Sequence, residues 1–163
     1  LQYSVELKVF ERTGLNIVSY LMRFILTEGV PPSLDSIDGA LKAIDMAFAI
    51  TRDAADGAAG DLHYSDEIYG EIEINQRGDP LCDEDIEDFK EELNKQDDPN
   101  RVIALDALAR ATGMIVLRVL RAGHENPAIL NHLWDWLFAT RAGLLQVDEE
   151  GFFDHERLVV SIL

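Results

Sequence analysis

Residues 66–98 read DEIYGEIEINQRGDPLCDEDIEDFKEELNKQDD, and two different periodicities follow one another within them. Ile68, Gly70, Ile72 and Ile74 alternate with Tyr69, Glu71, Glu73 and Asn75, the period of two that marks a half-exposed strand. Gln76 to Pro80 is a turn by composition, and its Arg77-Gly78-Asp79 is read as part of that turn. From Asp83 or Asp85 onward, Ile86, Phe89 and Leu93 recur at helical spacing. Glu84, Glu87, Asp88, Glu91 and Glu92 fill the rest of that helix surface. Acids early in the helix and Lys90 and Lys95 later also suit its dipole. A strand, a turn and an amphipathic helix in this order predict an α+β fold.

The stretch also holds most of the chain's charge. Its fourteen acids face three bases, a net of −11 out of −17 for the 163 residues. Such a field repels nucleic acid and anionic lipid and attracts a basic partner or a cation. The basic residues elsewhere are dispersed, with four Lys against ten Arg, which again speaks against nucleic-acid binding. A saline cytoplasm or a high-GC source would give the same acid-rich, lysine-poor bias with no functional meaning.

Outward from this stretch, Leu1, Tyr3, Val5, Leu7 and Val9 alternate with polar residues and predict a strand over residues 1–9. Thr13 caps a predicted helix whose stripe is Leu15, Val18, Leu21, Met22 and Ile25, ended by Gly29 and Pro31-Pro32. Ser33 or Ser36 starts another, with Ile37, Leu41, Ile44 and Phe48 on one face and a fraying end toward Gly57 and Gly60. After Asp98-Pro99, residues 99–121 form the most apolar predicted helix, carrying Leu105, Leu108, Thr112, Ile115, Val116 and Val119; it is the expected centre of the core. Asn126-Pro127 opens a helix with the stripe Leu130, Leu133, Trp134, Leu137 and Phe138, ended by Gly143. Residues 144–153 predict a hairpin with Gly151 at a position needing positive φ, and residues 156–163 a last helical turn or an edge strand. The expected architecture is a single compact domain over residues 1–163. It consists of a small antiparallel or mixed sheet of about four strands packed against about five helices.

An apolar content of 47% fits a folded chain of this length, which buries roughly two thirds of its unfolded surface. No apolar run approaches the roughly 18 residues a membrane span needs, and no signal peptide is apparent. The chain begins at Leu1 rather than Met. The single cysteine, Cys82, makes no internal disulfide, and a cytoplasmic location is expected. The acids beside Cys82 disfavour its thiolate, so it is expected to be inert.

No nucleophile elbow, phosphate-cradling glycine loop or paired-histidine motif occurs. His63, His124, His132 and His155 lie far apart in sequence, so any metal site from them would need distant segments. The expected protein is a small acidic non-enzymatic interaction protein with no cofactor, of the inhibitor, immunity or antitoxin type. It would dock a basic protein through Glu71, Glu73, Glu84, Glu87, Asp88 and Glu91, with Trp136 as an outward aromatic anchor. The alternative is a metal-dependent hydrolase of a phosphorylated small molecule. Glu84, Glu87, Asp88 and Glu91, spaced along one helix face, would be its metal ligands. Acids from separate elements converging on one cavity would favour the hydrolase; a convex acidic face would favour the docking protein.

Overall fold

The structure, a computed structural model, describes residues 11–12, 15–16 and 19–162. The strand expected over residues 1–9 lies outside them. In chain order the elements are β1 (Glu11–Arg12), β2 (Leu15–Asn16), β3 (Tyr20–Leu26), α1 (Leu34–Ile44), β4 (Phe48–Arg52), β5 (Ala59–Tyr64) and β6 (Glu67–Gln76). They continue with α2 (Pro80–Asn94), α3 (Arg101–Arg110), β7 (Gly113–Val119), α4 (Arg121–Glu125), α5 (Pro127–Thr140), β8 (Gly143–Val147), β9 (Gly151–Phe153) and β10 (Leu158–Ser161). β1 and β2 pair with each other. The other eight strands form one antiparallel sheet in the order β10-β9-β8-β3-β7-β6-β5-β4.

The class is α+β with five helices among the described residues, but the sheet has eight strands, not about four. Three segments account for the difference. Tyr20–Leu26, read as part of a helix, is the strand β3 next to the sheet centre. Gly29 does take positive φ (72°), but it follows a strand and not a helix. The helix expected over residues 99–121 stops at Arg110, and its second half is β7. Phe48 lies in β4, so the helix before it ends at Ile44, and residues 48–64 form the β4–β5 hairpin.

Helices cover the sheet on both faces. On one, Met22, Phe24 and Leu26 of β3 and Ile115, Leu117 and Val119 of β7 meet Ile37 and Leu41 of α1 and Leu133, Trp134 and Leu137 of α5. The α1 stripe is anchored by Ser33, whose hydroxyl accepts from the Ser36 N–H at 3.1 Å. On the other face, Ile25, Met114, Leu144 and Phe152 pack against Ile86 and Leu93 of α2 and the small residues Ala104 and Ala107, with Leu108, of α3. The inner stripe expected for α2 is present: Ile86 and Leu93 are buried and Phe89 packs beside them. So are the α5 stripe and the β8–β9 hairpin, where Gly151 has a φ of 139°. The C-terminal segment resolves as the edge strand β10. Among the described residues no helix is long and apolar enough to cross a membrane.

Among the described residues the second layer of helices covers only part of its sheet face. The cluster beneath α2 and α3 draws strand residues only from β3, β7, β8, β9 and β10. β4, β5 and β6 contribute none, and among the described residues no helix core covers that half of the sheet face.

Candidate functional site

Strand register dictates what the open half-face displays. Leu21, Arg118, Glu71, Asp61 and Thr51 stand opposite one another in a single row across β3, β7, β6, β5 and β4. The next row runs Gln146, Arg23, Val116, Glu73 and Ala59. Since side chains alternate across a strand, both rows project from the face that α2 and α3 cover only in part. The open end of these rows forms a depression of about 400 Å³. Leu21, Ala59, Gly60 and Val116 give it an apolar floor, and Asp53, Asp61, Glu71 and Glu73 ring it with Arg52 and Arg118. A second, adjoining hollow is lined by Glu73, Asp56, Asp79 and the first turn of α2.

The two arginines are already engaged. Arg118 pairs with Glu71 at 3.2 Å, and Arg52 pairs with Asp35. Asp53 and Asp56 cap turn amides, those of Ala55 and Ala58, and Asp79 accepts from the Gln76 N–H. Asp61 and Glu73 have no cation in ion-pair contact among the described residues. Partial burial, with Asp56 and Asp79 nearby, pushes the Glu73 carboxyl above its ordinary value.

The covered end of the second row is a buried charge node. The Arg23 side chain is only 9% exposed. Its Nε donates to Asp85 of α2 at 2.8 Å; its Nη1 donates to Gln146 at 2.7 Å and to Asp148 at 2.8 Å. The guanidinium lies over the Phe89 ring, 5.2 Å from its centroid. Asp148 also accepts from the Leu21 N–H at 3.0 Å. This node fastens α2 to the sheet and sets the edge at which the open face begins.

The acids named on α2 are placed differently. Glu84, Glu87, Asp88 and Glu91 are all exposed on its outward side. Lys90 pairs with Glu87 at 3.1 Å, and Lys95 with Glu91 at 3.2 Å and Glu92 at 3.0 Å. They line the exposed side of one helix. The groove acids do come from separate elements, yet no group of three or more His, Cys, Asp or Glu among the described residues is arranged to hold a metal ion. The four histidines stay apart. His63 contacts Thr51, His124 meets the Tyr20 ring, His132 meets Phe48, and His155 pairs with Asp135.

Trp136 does not join the acids. It sits on α5, on the opposite side of the sheet, half-buried against the core there, with the Arg141 guanidinium 6.0 Å from its ring. Cys82 is buried beneath α2, where burial and Asp83 push its thiol up to about 11. Asp53, Asp56, Asp61 and Arg118 were not named from sequence because β4, β5 and β7 were not recognised as strands. The one available signal was Asp53-Ala54-Ala55-Asp56-Gly57, a turn-rich run between two apolar segments.

No protein-family model matches this sequence, and neither a curated protein nor a solved structure does.

Proposed function

We propose that this protein is a non-enzymatic docking protein that receives a basic protein partner on its acidic side, in the manner of an inhibitor, immunity protein or antitoxin. The observation that supports this is the half-open sheet face. It is an antiparallel floor whose register places Glu71 and Asp61 in one row and Glu73 in the next, on the sheet face that α2 with its outward acids covers in part. Glu84, Glu87, Asp88 and Glu91 speed encounter through their long-range field, while Glu71 and Glu73 lie where contact is made. Trp136 has no part in this surface.

The test is capture of the native partner at low salt by the wild-type protein and by a variant carrying Glu71→Lys, Glu84→Lys and Glu91→Lys, with circular dichroism to confirm folding. The expected result is capture by the wild type alone, with association slowing steeply as salt rises, since the screening length is about 10 Å at 0.1 M. Equal capture by both forms would refute the reading.

A further inference from the structure

We propose that the groove between β4 and β7 seats an arginine side chain from an extended basic segment of the partner, held by Glu73 and Asp61. This rests on the docking reading and assigns its contact site.

Three features carry the inference. The first is shape. Among the described residues the same sheet face is covered by α2 and α3 over β3 and β8–β10 but not over β4–β6, and the resulting depression of about 400 Å³ suits one or two side chains. The second is the chemistry of its lining. Leu21, Ala59, Gly60 and Val116 offer an apolar bed for a methylene stem, and beyond it lie Asp61 and Glu73, the groove acids that among the described residues neither pair with a cation, as Glu71 does, nor cap a turn amide, as Asp53 does. Asp61 and Glu73 are diagonal neighbours on paired strands, because Asp61 stands opposite Glu71 and Ala59 opposite Glu73. Diagonal positions are about 7–8 Å apart, a gap that a planar guanidinium with donors on two edges bridges better than a point-like ammonium.

The third feature is that this face already receives guanidinium groups in the same way. Arg118 lies against Glu71 at 3.2 Å, and Arg23, one row further, is held by Asp85, Asp148 and Gln146. The incoming arginine extends that pattern to Asp61 and Glu73, which have no ion-pair partner among the described residues. The edge of the sheet is a poorer dock for the same segment. On β4 the outward N–H of Ile50 is taken by Asp38 at 2.9 Å and that of Phe48 by the Asp45 carbonyl at 3.2 Å, so strand addition there is obstructed.

The probe is a short blocked peptide with two arginines separated by glycine, alongside its neutral citrulline counterpart. Binding is followed by amide chemical shifts of the full chain at low salt. Saturable shifts are expected at Gly60, Glu71, Ile72 and Val116, absent with citrulline. Affinity should fall about tenfold or more in Glu73→Gln/Asp61→Asn, whose amide spectrum also reports folding. A second variant, Glu84→Gln/Glu87→Gln/Glu91→Gln, should keep the groove shifts. If the helix variant alone abolishes binding, the groove assignment is overturned and the docking reading stands. If citrulline binds equally well, or no variant alters binding, both are overturned.

Discussion

Replacing Arg23 by methionine tests what holds α2 in place. The substitution keeps an unbranched stem over Phe89 and removes the guanidinium, leaving three acceptors behind. Gln146 is 3% exposed, so its amide oxygen loses a donor where water barely reaches, at a cost of about 1–3 kcal/mol. Asp85 and Asp148 lose their counter-charge, but their side chains are 35% and 32% exposed and rehydrate in part. Breaking a fully buried pair costs about 3–5 kcal/mol; that partial exposure places this case near the lower end, at about 3 kcal/mol in total. At this chain length the loss corresponds to a Tm lower by roughly 6–12 °C. Urea denaturation followed by circular dichroism measures it. Arg23→Lys should fall between the two, because an ammonium does not reach Asp85, Gln146 and Asp148 together. Adding Asp85→Asn to Arg23→Met should recover part of the loss. A change below about 1 kcal/mol, or equal stability of Arg23→Lys and wild type, would refute the account of Arg23 as the fastening of α2.

Leu108→Ala, at a fully buried position on α3, should cost about 2–5 kcal/mol by urea denaturation, and a near-zero cost would contradict the packing of α3 on the sheet. Glu73 has a raised carboxyl value in the folded protein, so the folded chain holds more protons than the unfolded one between the two values, and stability falls as pH rises through that window. Glu73→Gln should therefore raise Tm at neutral pH, with the gain vanishing near about pH 3, below both values; a lower Tm at pH 7 would refute this. Mn²⁺ titration calorimetry should show only weak, diffuse binding, because the α2 carboxylates stand side by side in water. A one-site isotherm abolished by Glu87→Gln or Asp88→Asn would replace the docking reading with the hydrolase.

What the sequence reveals and conceals here follows from how many faces of each strand are covered. β6 is legible because one face is wet: Glu71 and Glu73 interrupt Gly70, Ile72 and Ile74 at every second position. β3 and β7 have helices on both sides. Their residues Tyr-Leu-Met-Arg-Phe-Ile-Leu and Gly-Met-Ile-Val-Leu-Arg-Val are near-continuous apolar runs, and such a run matches a helical stripe as well as a strand. Leu105 and Leu108 are helical and Ile115 and Val119 are not, although all four fit one helical face. The break falls at Ala111–Thr112, just before Gly113, and the β-branched Ile115, Val116 and Val119 favour the strand. At the site, Glu71 and Glu73 were readable from alternation. Asp61 was not, because its place beside them depends on pairing between β5 and β6. Trp136, expected as an outward anchor, is half-covered by the core on that side of the sheet.

The position of β3 has a consequence in time. Among the described residues it is the first strand of the large sheet in chain order, yet both its neighbours come late: Leu26 pairs with Gly113 on one side and Gly143 on the other. At about 5–20 residues per second, a ribosome needs roughly 4–17 s to pass from Leu26 to Gly113. For that interval the apolar run Tyr20–Leu26 has no partner, while the β4–β5–β6 meander is already complete and able to close locally. The pairings of the β4–β5–β6 meander are thus available in the nascent chain before those of β3. Arg23, the one charge in the waiting strand, is the residue that keeps that segment from being wholly apolar until α2 and β8 arrive.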